Sequence, residues 1–105
     1  MGDRISISFM KDGEESVAFF SHWDGLWLKK KVTQYVKERI PKTDSQMLPL
    51  DRREPHTVII DFVSWLTKGE RMESNYYLGK DGNDGDNSDN GHWIFDLNTD
   101  KWKRK

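Results

Sequence analysis

A chain of 105 residues, with 17 basic and 18 acidic side chains and a net charge of −1, is sized for one domain around one modest core. The near balance of charge argues against a nucleic-acid coat protein or a polybasic membrane binder. The absence of cysteine removes disulfides, thiolate catalysis, zinc–thiolate sites and iron–sulfur ligation together.

The opening stretch carries Asp3 and no long apolar run, so no signal peptide is expected. In RISISFM, Ile5, Ile7 and Phe9 alternate with Ser6 and Ser8, the pattern of a half-buried strand. Asp12-Gly13 predicts a tight hairpin turn, since glycine tolerates positive φ. SVAFFSHW then predicts a returning antiparallel strand. From DGLWLKKKVTQYVKERI onward the period changes. Leu28, Val32, Tyr35, Val36 and Ile40 recur at helical spacing, with Asp24 as a natural N-cap and Pro41 as the stop.

Residues 41–53 are a polar loop with Pro41 and Pro49. EPHTVIIDFVSWLTKG predicts a second helix, with Pro55 in its first turn and Gly69 just past its end. It is apolar over most of its circumference and is expected to lie deep against the sheet. The stretch VIIDFVSWL contains Asp61 and is too short to cross a bilayer, so a soluble, cytoplasmic chain without a membrane partner is expected. SNYYLG and GHWIFDL predict two more strands, joined by the Asp/Asn/Gly-rich stretch between them. The expected fold is α+β: a four-stranded, mainly antiparallel sheet in the order β-β-α-α-β-β, with both helices on one face. Residues 1–100 are the expected domain. Residues 101–105, KWKRK, are an expected mobile basic tail in which Trp102 adds little to the core.

Met1, Gly2 and Arg4, followed by His22, Trp23 and Gly25 after the second strand, resemble the Met-Gly-x-Arg and His-Trp-x-Gly motifs of a group of small proteins from tailed phages and bacterial and archaeal genomes. The C-terminal strand–turn–strand resembles theirs too, with the turn expanded. The resemblance implies a shared α+β fold and a phage-related origin, and it assigns no activity. The long acidic turn departs from the group's pattern, so a metal site there would be peculiar to this chain.

That turn is the sharpest functional signal. KDGNDGDNSDNGHW sets Asp81, Asp84, Asp86 and Asp89 within nine residues. Calcium takes six to eight oxygens from carboxylates, amides, backbone carbonyls and water, and Asp81, Asn83, Asp84, Asp86, Ser88 and Asn90 are the candidate ligands. Asp86, Ser88 and Asn90 fall at the alternate positions of a calcium loop, with Gly91 at its bend. Leu97 stands where the closing glutamate belongs, so the expected affinity is weak, on the order of 10⁻⁴ to 10⁻³ M. The same residue types also suit a plain exposed turn.

Three further constellations have a functional and a structural reading. His22 and Asp24 would point to one side of a strand and suit a general base with its orienting carboxylate; Asp24 as a helix cap is the simpler account. His92, if its strand neighbours that of His22, would complete a His/His/Asp transition-metal cluster. The tryptophans could stack on bases or sugars, or fill a core short of aliphatics. Lys29-Lys30-Lys31, Arg52-Arg53 and the tail are solvated charge, or a nucleic-acid or protein contact if they share a face. The expectation is a non-enzymatic binding or regulatory protein with a divalent-cation (calcium) loop. The alternatives are a small hydrolase using His22 and Asp24, or a nucleic-acid-binding accessory protein.

Overall fold

The computed structural model describes residues 2–105. Strand β1 (Ile5–Lys11) turns through Asp12 and Gly13 into β2 (Glu14–Glu15). Both turn residues have positive φ, 53° and 82°, the requirement of the hairpin turn whose twist matches the strands. β3 (Ala18–Ser21) continues antiparallel to β1. The pairing shifts by one residue between Met10↔Glu15 and Ile7↔Phe19, so Ser16-Val17 forms a bulge. A bulge moves the side chains beyond it to the other face. Glu15 therefore lies on the same face as Ser6 and Ser8.

Helix α1 (Trp27–Arg39) buries Leu28, Val32, Tyr35 and Val36, the stripe expected from its spacing. Asp24 does not cap it. Leu26 occupies the cap position without a side-chain bond, because Asp24 has been drawn away by Asn75 and Tyr76. Helix α2 (Pro55–Thr67) has proline in its first turn and ends at Lys68 and Gly69, both with positive φ. It buries Val58, Ile59 and Phe62 while Ile60 is 70% exposed. It is thus half-sunk rather than buried all round: Asp61, which accepts from the Tyr35 hydroxyl at 2.7 Å and pairs with Arg39, sits at its polar boundary.

The sheet departs from the expected four antiparallel strands. β4 (Tyr76–Gly79), β5 (His92–Asp96) and β6 (Lys101–Arg104) complete a six-stranded mixed sheet in the order β4-β3-β1-β5-β6, with β2 also on β1. β1 and β5 run parallel at its centre. β4 and β5 therefore form no hairpin. β3 and β1 lie between them, and the acidic segment must span three strand spacings, roughly 14 Å. Nor are residues 101–104 a mobile tail: they pair antiparallel with β5, and Trp102 meets Phe95 edge-on at 5.1 Å.

Both helices cover one face, as expected. Phe62 of α2 packs on Phe9 and Phe19 at 5.8 Å, and Tyr35 of α1 meets Phe9 at 6.4 Å. Edge-to-face pairs of this kind add to area burial. Among the described residues no helix is long and apolar enough to cross a membrane.

Candidate functional site

The second face of the sheet carries Ser6, Ser8, Phe20, Tyr77 and His92, and the acidic segment 80–91 folds back over it. A methyl group on Gly82 would sit 2.5 Å from His92 Cγ, and one on Gly85 2.6 Å from the Tyr77 hydroxyl. These two glycines let the backbone lie directly on the rings. Beneath it Phe20 and Tyr77 stack at 4.9 Å, and the Tyr77 hydroxyl accepts from the Asp86 N–H.

The predicted ligands of this segment act locally. Asp81 accepts from the Asn83 N–H, Asp84 from the Lys80 N–H, and Asp86 from the Ser88 N–H. That backbone bond leads in holding the Asp86 carboxyl below its ordinary value, with help from Ser88's side chain, Arg4 and His22. Arg4 Nε pairs with Asp86 at 3.1 Å, and the Arg4 N–H donates to Asp89. Asn90 donates to Asp3 and to the Arg4 carbonyl. Among the described residues no group of three or more His, Asp or Glu side chains is disposed to hold a metal ion. The crowded carboxylates are compensated by backbone amides and Arg4.

Under the segment lies a polar network. His92 Nδ1 is 2.6 Å from Ser6 Oγ, and Nε2 is 3.0 Å from Glu15 Oε2 and 3.2 Å from Ser8 Oγ. Ser8 donates to Glu15 at 2.5 Å, and Asn87 donates to Ser6 at 2.8 Å. Ser6 and Ser8 are fully buried and His92 nearly so. Burial by itself raises the Glu15 carboxyl. The bonds from Ser8 and His92, with the charges of His92 and Lys105, outweigh it and hold the carboxyl below its ordinary 4.5. The residue types are those of a nucleophilic relay, yet Ser6 is sealed beneath Gly82 and Asn87. The arrangement fastens the covering segment to the sheet. Two adjacent outward serines with Phe20 beside them were the available sequence signal, since an uncovered face would carry charge. The bulge that aims Glu15 had no such signal.

His22 and Asp24 part company. The His22 ring leans on Tyr77, on the covered face, at 5.2 Å. Asp24 accepts from the Tyr76 hydroxyl and the Asn75 amide, and Tyr76 packs on Phe19 on the helix face. The chain turns just beyond them at Gly25, φ 55°. Neither His22 nor Asp24 is among the partners of His92.

The basic groups do converge in part. Lys29 Nζ stands 3.4 Å from the Trp93 ring centroid and 5.2 Å from that of Trp102, with the Arg104 guanidinium 5.3 Å from Trp93. Burial, with the Arg104 charge added, lowers the Lys29 ammonium below its ordinary value. Leu26, Lys29, Lys30, Thr33 and Trp102 line a shallow depression of about 260 Å³. Lys30, Thr33 and Lys37 continue as an exposed stripe at helical spacing. Trp23 and Trp27, at the start of α1, are 58% and 47% exposed. Lys101 and Lys103 point the other way from the β6 edge, where Lys103 pairs with Asp96 at 3.3 Å.

Arg53, read from sequence only as half of a basic pair, is buried at φ 54°. Its guanidinium bonds the carbonyls of Ile40 and Leu97 and the Asp100 carboxylate. No protein-family model, curated protein or solved structure matches the chain.

Proposed function

We propose that the chain is a non-enzymatic binding protein whose α1–β6 face takes single-stranded nucleic acid. The observation that carries this reading is the meeting of Lys29 and Arg104, distant in sequence, over Trp93. Single-strand binding combines a cationic track for phosphates with aromatic faces for bases. Lys29, Lys30, Lys37 and Arg104 supply the track, and the half-buried rings of Trp93 and Trp102 supply the aromatic surface. Lys29 and Arg104 crowd one another, and a phosphate between them would relieve that repulsion. The net charge of −1 favours a local, salt-sensitive contact over a wide electrostatic footprint.

Titration of labelled oligothymidine, read by anisotropy and tryptophan quenching, tests this. About four phosphate contacts give an expected slope of log K against log salt of about −3. Lys30→Glu/Arg104→Glu should abolish binding at low salt. Absence of binding by the wild type, or equal binding by the double variant, would overturn the reading.

A further inference from the structure

A cleft of about 430 Å³ lies elsewhere, at the carboxyl ends of the two parallel strands. Lys11 ends β1, while Leu97 and Asn98 follow β5. Lys42 and Arg53 complete its basic lining. We infer that this cleft binds a small phosphate-class oxyanion between the Lys11 and Lys42 ammonium groups.

Each of these lysines is already held. Lys11 Nζ donates to the Arg52 carbonyl, and Lys42 Nζ donates to the Asn98 carbonyl at 3.3 Å. An ammonium has three N–H donors, so each keeps two for a ligand, on a head group fixed by the backbone. Pre-placed donors lose less freedom on binding. Thr43, also in the lining, accepts from the Ser45 N–H and retains its own O–H to donate.

Arg53 forms the rigid wall. It is 7% exposed, and its Nε is the one buried side-chain polar atom among the described residues with no hydrogen-bond partner. It holds a left-handed backbone that a branched or long side chain rarely adopts. Strain and an unmet donor kept together are features of sites rather than of plain packing. Of the acids in the lining, Asp51 is committed to Ser45 Oγ and the Leu48 N–H, and Asp44 is exposed. Asp100 neutralises Arg53 at 2.5 Å. The donors left for a ligand are therefore those of Lys11 and Lys42, with the Thr43 hydroxyl and the buried Arg53 Nε beside them.

The test is calorimetric and melting titration with sodium phosphate, against sodium acetate at equal ionic strength. Phosphate should bind and raise the melting temperature, and acetate should do neither. Lys42→Gln, at an exposed position, should weaken phosphate binding roughly tenfold, the scale of a lost charged hydrogen bond, while Lys42→Arg retains it. Lys80→Gln, at an exposed position outside both the cleft and the α1 face, should leave phosphate binding unchanged. Lys42→Gln should also leave oligothymidine binding unchanged. Its loss there would assign the cleft to a nucleic-acid backbone and overturn the free-anion reading. Equal responses to phosphate and acetate, or an unaltered phosphate affinity in Lys42→Gln, would likewise overturn it.

Discussion

Gly82 lies over the His92 ring with no space for a methyl group, which would come 2.5 Å from Cγ. Gly82→Ala must lift the segment or displace the imidazole from Ser6 and Glu15. Overpacking of this kind costs about 1–3 kcal/mol, a drop of several degrees in a domain of this size. An unchanged melt would show that the segment does not seat on the ring. Glu15 gives a second residue-scale expectation. Its folded pKa lies below the ordinary 4.5, so its contribution to stability is present above pH 4.5 and is lost as pH falls through the folded value. Glu15→Gln should therefore lower stability near neutrality and flatten the loss of stability on acidification below pH 4.5. Denaturant melts across that range check it. Parallel pH curves for the variant and the wild type would remove Glu15 from the network.

At the scale of elements, legibility followed locality. α1 could be read because Leu28, Val32, Tyr35 and Val36 report one face by themselves, and α2 because Pro55 and the Lys68-Gly69 stop bound it. Strand β1 was equally plain from Ile5, Ile7 and Phe9. Partner choice is not local. Nothing within YYLG or HWIFD reveals that β4 joins β3 while β5 joins β1 in parallel. The bulge at Ser16-Val17 was invisible for the same reason. β6 was hidden by its composition: three of its four residues are basic, which suits a protected edge strand as well as a solvated tail. Its one apolar residue, Trp102, sits on Phe95 and near Lys29. Deleting Trp102–Lys105 should then cost about 1–3 kcal/mol, less than truncation of a fully buried tryptophan. A thermal melt within a degree of wild type would return the segment to the status of a tail.

At the scale of the whole molecule, charge is divided by place. Segment 80–91 gathers carboxylates over one face of the sheet, while Lys29, Lys30 and Arg104 stand along the α1–β6 edge. The acidic side raises the cation question again, because four carboxylates so close in sequence repel unless something offsets them. In the fold the offset is internal: N–H groups of Lys80, Asn83 and Ser88, and the Arg4 side chain, take Asp84, Asp81, Asp86 and Asp89 in turn. Calcium would have to pull these carboxylates off their amides and toward one point, and Gly82 and Gly85 are pinned to the rings beneath. Millimolar calcium is therefore expected to leave the melting temperature unchanged. Asp84→Ala should cost about 1 kcal/mol through its lost bond to the Lys80 N–H, with or without the ion. Melts of wild type and of Asp84→Asn/Asp86→Asn, in calcium and in chelator, decide between the two accounts. A calcium-dependent rise in the wild type that the double variant loses would establish Asp84 and Asp86 as ligands and replace the amide account of this segment.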